Sequence, residues 1–417
     1  MLIHSASQLI CLRGGPQRGS RLGALDIIED GAVLVRGEKV QELGSTKDLL
    51  QRFPDEPTLD AHHQVVMPGF VDPHTHLIWA GDRAQEFSLR LEGKSYMEIM
   101  ASGSGILSTV KATRAAGSAA LESATAQRAW SMLRHGTTTL EAKTGYALDV
   151  AGELRLLEVL MELRRVLPLD IIPTYLGAHA VPPEYAGDAA GYTRLLVEKA
   201  LPQLKEWWLL RYPKEAYPFV DVFCEPAVFN REHTREILTA ARKLGFPLKI
   251  HVDEFENIGG ASLAAELGAT SADHLVKTGD EDIKKLAASG TVAVALPCTP
   301  FGLAENNYTP AKKIVAQDGL LALASDLNPG TAWCGNMQFV IALACRFMIL
   351  TPAQAIAAAT INAAAAIKME KKVGSLEPGK QADLLILNIP DYRHLGYRFG
   401  ENLVETVIKK GRTINFS

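Results

Sequence analysis

Several polar residues of this chain stand at the ends of apolar runs. His74 and His76 follow VVMPGFV, His179 follows IIPTYLGA, and His251 follows PLKI. Asp273 and His274 close the short segment ATSA, and Asp326 follows LLALAS. His74 and His76 form a His-x-His pair. Residues two apart in a strand point to one side, so both imidazoles can ligate one ion. His251 adds a third nitrogen and Asp326 an oxygen. Three nitrogens and one carboxylate suit one divalent zinc or iron ion, and do not suit calcium or magnesium. A lone His-x-His is a weak signal. Here it stands in DPHTH after an apolar run, with two further ligands at later strand ends.

An ion so held supplies Lewis acidity for hydrolysis near neutral pH. Asp326 is placed to take a proton from water, and His274 to orient that water or stabilise a developing oxyanion. Glu254, three residues after His251, is placed to exchange a proton with a ring or leaving nitrogen. A solvated loop carboxylate is the plain alternative for Glu254, as a hydrogen-bonded core histidine is for His179. Arg83, in GDR, offers a guanidinium that can grip a carboxylate with two bonds. Its alternative is a surface ion pair. Tyr146, in KTGY, offers a hydroxyl. In DLNPGT (326–331), Asn328, Gly330 and Thr331 can present donors to a second carboxylate, or can form a plain tight turn.

These residues need a scaffold that brings distant strand ends together. From Pro68 to about residue 367, short apolar runs alternate with amphipathic runs. The pattern predicts helices over 119–133 (N-cap Ser118, Gly136 just beyond), 152–166, 192–207, 234–244, 260–267, 281–288 and 310–317. Strands lie between them in TTTLEA, DIIPTYL, FVDVF, PLKI, the segment before Asp273, TVAVAL and LLALA. Repeated strand–helix order implies a parallel sheet, and this many units points to a closed (β/α)8 barrel of the TIM type, an α/β fold. In such a barrel the C-terminal strand ends converge on one face, which holds the active site. Both ends of the chain look β-rich: the start carries short apolar runs such as Ala32–Val35 before a Gly37–Glu38 turn, and the tail carries ADLLILNI and VETVIKKGRTIN after Pro378-Gly379. The expected division is a barrel over 67–367 and a small β-sandwich built from 1–66 plus 368–417.

The 417 residues are 47% hydrophobic and 22% charged, an ordinary globular composition, with a net charge of -4. No basic excess argues for nucleic acid or an anionic membrane surface. Five scattered cysteines do not read as a disulfide framework and suit a reducing, cytoplasmic setting. The N-terminus lacks a basic region and a long apolar stretch, so no signal peptide is expected. The most apolar run, FVIALACRFMIL, is broken by Arg346 and too short to span a bilayer; it reads as a buried helix.

With these residues in place, the sequence resembles the imidazolonepropionase family of the amidohydrolase superfamily, enzymes of histidine degradation. The matching segments cover nearly the whole chain: PGFVDPHTHLIWAGDRAQEF, GKSYMEIMASGSGILSTVKATR, GTTTLEAKTGYALD, YLGAHAVPPEY, VDVFCE, KIHVDEF, SADHL and ALASDLNPGT. DPHTH marks only the superfamily, as does the tail VGSLEPGKQADLLIL; GDR…EF, KTGY, LGAH and DLNPGT together are far more specific. The resemblance implies a metal on His74, His76, His251 and Asp326. It also implies substrate contacts from Arg83, Tyr146, His179, Glu254 and Thr331, and product contacts from Asn328 and Gly330. His274 matches the strand-six histidine. The implied reaction is hydrolysis of the ring amide of 4-imidazolone-5-propanoate to N-formimidoyl-L-glutamate. A homodimer is likewise implied by the family. Binuclear relatives carry a carbamylated lysine at the end of strand four, a position that His179 is expected to hold here, so a single ion is implied. The chain departs from the family in KTGYALD for the usual KSGYGLD, in SGSGI for GGGI, and in AWCGNM (332–337), which brings Trp333 and Cys334 beside the expected product site.

Two other readings compete. A hydrolytic deaminase of a nitrogen heterocycle would also use the spacing of His251 and Glu254, but Arg83 and the DLNPGT turn favour a substrate bearing a carboxylate. A catalytically inactive scaffold of the same fold would be expected to have lost ligands, and all four are present.

Overall fold

The structure is a computed structural model that describes residues 1–94 and 105–416. Most of the GKSYMEIMASGSGI stretch, including the start of its SGSGI variation, lies outside the described residues. The described strands form two eight-stranded sheets.

The first is mixed and joins both ends of the chain. From the N-terminal part come β1 (Leu2–Ile10), β2 (Ile27–Arg36), β3 (Lys39–Ser45), β4 (Thr58–Asp60) and β5 (Val65–Pro68). The second sheet takes the next eight strands, and the chain then returns to the first with β14 (Leu384–Leu387), β15 (Val404–Lys409) and β16 (Arg412–Thr413). The order is β16-β15-β14-β5-β1-β2-β3, with β4 beside β1. The sandwich expected of the termini thus takes the form of one mixed sheet with apolar clusters on it. One cluster gathers Ile3, Val33, Val66, Leu384 and Ile408; another packs Leu2 and Leu34 against Leu49 of the helix Thr46–Arg52. Gly69 separates the two sheets: β5 pairs with β14, and the next strand enters the barrel. A Cβ at Gly69 would meet the Thr138 side chain at 2.2 Å, so the crossing needs glycine.

The barrel consists of β6 (Phe70–Asp72), β7 (Thr137–Lys143), β8 (Asp170–Ala178), β9 (Phe219–Cys224), β10 (Lys249–Val252), β11 (Ser271–His274), β12 (Val292–Ala295) and β13 (Leu321–Leu323). All seven neighbouring pairs are parallel and follow chain order. The ring closes just beyond β6 and β13. Thr75 bridges Leu327, the Asp326 N–H donates to the His74 carbonyl at 3.1 Å, and the His76 N–H donates to the Leu327 carbonyl at 2.8 Å. Closure therefore runs through the residues flagged for chemistry.

Predicted helices recur with shifts of a few residues at most ends. Examples are Ser118–Arg134, Val150–Val166, Gly260–Leu267 and Asp280–Ala288. Ser118 is the first helical residue, Gly117 taking the cap position. The helix expected over 192–207 is Ala189–Leu195 followed by a π turn and Leu201–Arg211. FVIALACRFMIL begins in the helix Met337–Phe347 and runs three residues past its end, with Val340–Ala344 buried. The largest apolar cluster fills the space between barrel and helices, with Leu156, Leu160, Ile237 and Leu263. A second joins Val71, Phe219, Val292, Val294 and Ala322 of the staves to Ala363, Ala364, Ile367 and Val373 of the segment that follows the barrel. The five cysteines are free, and no described helix is long and apolar enough to cross a membrane.

Candidate metal centre

The mouth of the barrel brings together every strand-end residue singled out from the sequence. His74 and His76 lie just past β6, His251 lies in β10, and Asp326 lies just past β13. His74 Nε2 and His76 Nε2 approach Asp326 Oδ1 at 3.4 and 3.5 Å. His251 Nε2 lies 3.4 Å from His76 Nε2. Ligands at bond lengths of about 2.0–2.1 Å stand about 3.3–3.4 Å apart at the corners of a tetrahedron, which these three spacings match. The mutually close donors form two triads that share His74, one with His76 and Asp326 and one with His251 and His274. The orphaned atoms agree. His74 Nε2 and Asp326 Oδ1 are buried with no hydrogen-bond partner in the protein, an arrangement that is costly unless a cation meets them. His274 also comes within ligand range of His74 and His251, with its Nδ1 unpartnered, so five donor side chains ring the centre.

Outer partners set which nitrogen faces inward. The His74 Nδ1–H donates to Asp273 Oδ2 at 2.6 Å and the His251 Nδ1–H to Asp221 Oδ1 at 3.1 Å, which leaves each Nε2 lone pair toward the centre. Burial first, then the charges of Lys143 and neighbouring histidines, holds His74 and His76 well below the usual histidine range. Burial does the same to His274. Neutral imidazoles are the form a metal needs.

Beneath the ligands lies a buried ionic cluster that the sequence reading missed. Lys143 Nζ donates to Glu141 Oε1 at 2.7 Å and Asp221 Oδ2 at 2.8 Å, and stands 3.9 Å from Asp273 Oδ2. Lys249 Nζ lies 3.4 Å from the same Asp273 oxygen. One ammonium thus faces both carboxylates that orient His74 and His251, the candidate ligands. Burial opposes its charge, but Asp221, Glu141 and Asp273 hold Lys143 above the ordinary lysine range. A signal was present: Glu141 and Lys143 stand two apart in TTTLEAK, and Asp221 sits within FVDVF, each a charge inside a strand buried on both faces.

Backbone strain concentrates here too. His274 and Asp326 hold φ of 79° and 57°, left-handed values unusual for such residues. Asp326 is secured by its N–H bond to His74, by the Thr299 hydroxyl on its Oδ2, and by Asn328 Nδ2 on its carbonyl at 2.7 Å. Burial pushes its carboxyl up to about 6.

The expected substrate residues surround the centre. The His179 ring stacks on His76 with centroids 4.8 Å apart, and its Nδ1–H donates to the Gly145 carbonyl at 3.0 Å. Burial pushes its pKa down to about 3. The Tyr146 ring lies 5.9 Å from His76. Its loop is held by Glu153, a residue missed in the sequence, which accepts from the N–H groups of Gly145, Ala147 and Leu148 at 2.8 Å each. Glu254 Oε2 is 3.6 Å from His274 Nε2, and burial drives its pKa well above the carboxylate range. Glu225 fixes that loop by accepting from the N–H groups of Glu254, Phe255 and Glu256.

Two expectations change in detail. Arg83 is not a free fork: Nε and Nη2 donate to Glu86 at 2.7 and 2.6 Å. The DLNPGT turn closes on itself, since Asn328 Oδ1 accepts from the N–H groups of Gly330 and Thr331 at 2.8 Å each. Asn328, Gly330 and Thr331 reach the site, but those two donors are already engaged. A cavity of about 510 Å³ opens beside the turn, lined among others by Arg83, Arg90, Gly330, Thr331, Trp333 and Cys334, a size suited to a small molecule. In the unusual AWCGNM segment, Trp333 is exposed and packs edge-on against Trp79 at 5.0 Å. One assignment is corrected. His179 follows β8, the third stave, because β6, β7 and β8 come first in the barrel order. The fourth, β9, reads FVDVFC and holds no lysine.

The sequence profile of the amidohydrolase family matches residues 65–414. An imidazolonepropionase of Herpetosiphon aurantiacus is 48% identical over 99% of this chain and 96% of its own length. Another, of Symbiobacterium thermophilum, is 47% identical over 99% and 97%. Among solved structures, the guanine deaminase of E. coli superposes with a TM-score of 0.75 at 15% identity, covering 99% of this chain and 98% of the other. A zinc-bound adenosine deaminase from Xanthomonas campestris does so at 0.70 with 19% identity, covering 99% and 92%. At such identities the structural matches speak for the fold alone.

Proposed function

The chain belongs to the amidohydrolase family, and from that premise we propose that it hydrolyses the ring amide of 4-imidazolone-5-propanoate to N-formimidoyl-L-glutamate. The observation that carries the reading is the gathering of His74, His76, His251 and Asp326 at the barrel mouth, with His74 Nε2 and Asp326 Oδ1 buried and unpartnered 3.4 Å apart. Near-full-length relatives named imidazolonepropionase support the substrate.

A divalent ion held by these residues supplies Lewis acidity toward water and the amide carbonyl. We read the ion as zinc or iron, from its nitrogen-rich donor set. The protein groups do the rest. Asp326 accepts a proton from the attacking water at its carboxylate. His274, beside Glu254, steadies the oxygen on which charge develops. Glu254, whose carboxyl burial pushes well above the usual range, delivers a proton to the ring nitrogen as the carbon–nitrogen bond breaks. Arg83 holds the propionate, and Tyr146 and His179 contact the ring. The carboxylate that ring opening creates reaches the Asn328–Thr331 turn, whose N–H groups exchange their bonds to Asn328 Oδ1 for it.

A cytoplasmic homodimer forms part of this reading. Free thiols support the compartment. The exposed Phe347, Ile349, Tyr397 and Phe399 offer an apolar face for a second copy. Purified protein mixed with freshly generated imidazolone propionate should abolish the ring's ultraviolet absorbance, and prior chelation should prevent this. No loss of absorbance would refute the assignment; release of ammonia would place the chain among the deaminases.

A further inference from the structure

Glu86 belongs to the GDR…EF segment, and none of the steps above uses it. It is 6% exposed, close to the barrel mouth, in a place where an ionised carboxylate needs a reason. Three N–H groups supply one. Arg83 Nε and Nη2 donate to its two oxygens at 2.7 and 2.6 Å, and the Gly105 N–H donates to Oε2 at 2.8 Å. Glu86 sits in the helix Ala84–Leu91, and Gly105 caps the helix Ile106–Ala115. The carboxylate is therefore pinned by two separate elements and is poorly free to swing away.

A guanidinium has two edges able to grip a carboxylate: the side edge, Nε with Nη2, and the end edge, Nη1 with Nη2. Glu86 occupies the side edge. The end is directed at the DLNPGT turn, where a Cβ on Gly330 would lie 2.1 Å from Arg83 Nη1. Only glycine lets the guanidinium come so near. On the far side, Arg90 Nη2 donates to the Gly330 carbonyl at 2.9 Å and ties the same helix to the same turn. Arg83 is thus bracketed between Glu86 and the turn, and with Thr331 it lines the cavity beside that turn.

We infer that Glu86 is a positioning residue for substrate selection: by fixing the side edge of Arg83, it presents the end edge at one set distance from the metal centre and so favours rings that carry a carboxylate on a short tether. This rests on the reading of Arg83 given under the proposed function. A freely rotating arginine would accept anions of many lengths; a bracketed one discriminates.

The experiment uses the metal-loaded, full-length protein and two substrates, imidazolone propionate and the same ring bearing the neutral propionamide. Glu86→Gln should raise KM for the carboxylate about tenfold, hold kcat within about twofold, and leave kcat/KM for the amide unchanged, the pattern of lost uniform binding. Metal content should stay at the wild-type level. Glu86→Asp, which keeps the charge but shortens the reach, should fall between the two and serves if the glutamine variant folds poorly. Arg83→Met should raise KM for the carboxylate further. If Arg83→Met does so while both Glu86 variants behave as wild type, the role of Glu86 is refuted and the reading of Arg83 stands. If Arg83→Met leaves KM unchanged, the carboxylate contact itself is refuted. Equal loss on both substrates, or loss of metal, would make Glu86 merely structural and overturn the inference.

Discussion

Lys143 and Lys409 stand at opposite ends of β7, and each is a buried ammonium shared between two carboxylates. Lys143, at the C-terminal end, bonds Glu141 and Asp221. Lys409, reaching in from β15, bonds Asp170 at 2.9 Å, Asp383 at 2.7 Å and the Thr138 carbonyl at 2.9 Å. The lower cluster is closed. Gln381 donates to both aspartates, and none of Lys409, Asp170, Asp383 or Gln381 leaves a buried side-chain atom unpartnered. The upper cluster is open: Asp273 Oδ1, His74 Nε2 and Asp326 Oδ1 are left without partners. Both bury charge at a cost. The closed one fastens the terminal sheet to the barrel, whereas the open one leads to atoms that require another positive charge. Stability at the bottom of a barrel and chemistry at its top follow the same division.

Variants at the two ends should separate these roles. The largest effect belongs to Asp326→Asn, which keeps the shape but removes the carboxylate proposed both to ligate the ion and to accept the proton. Its kcat/KM should fall by far more than the ~10–100-fold that loss of an outer partner costs. Residual activity above a tenth of wild type would mean that Asp326 is not a ligand.

Lys143→Met comes next. It should weaken metal binding by about 10–100-fold and lower stability by about 3–5 kcal/mol, since two buried carboxylates lose their partner. Competition with a chelator and thermal unfolding measure the two effects. Lys409→Met should cost a similar ~3–5 kcal/mol with metal affinity unchanged. Equal loss of metal from both variants would erase the distinction.

The smallest effect is the pH dependence of the lower cluster. Burial alone would raise the Asp170 pKa, but Lys409 and Lys372 pull it down to about 2, below the about 3.9 of an unfolded aspartate. Between these values the unfolded chain binds a proton that the folded chain does not. The stabilisation is therefore full above about pH 4 and lost as pH falls toward 2. The gap in Tm between wild type and Lys409→Met should be widest near neutrality and narrow on acidification. A gap that widens in acid would contradict the assignment.

The sites differ in how far the sequence exposes them. His74, His76, His251 and Asp326 could be read because each follows an apolar run and the barrel order brings strand ends together. Helices such as Gly260–Leu267 could be read because their apolar period is regular. The supporting residues were less visible for the same physical reason that makes them useful. Asp221 and Lys143 lie within strands, where a charge normally argues against burial, and the ion pair between Lys143 of β7 and Asp221 of β9, with β8 between them, neutralises it. Glu86 and Glu153 act on loops whose path no local pattern predicts. The place of His179 was misjudged by one stave because stave number depends on counting every strand before it, and the short strands here, such as Phe70–Asp72, give little periodic signal.

The central claim is that four side chains share one ion, and its most direct test is elemental analysis of the protein as purified and after metal reloading, beside His251→Ala. Wild type should carry one equivalent of zinc or iron per chain, and the variant close to none under the same dialysis. Two tightly held equivalents in wild type, or a full equivalent retained without His251, would contradict the account.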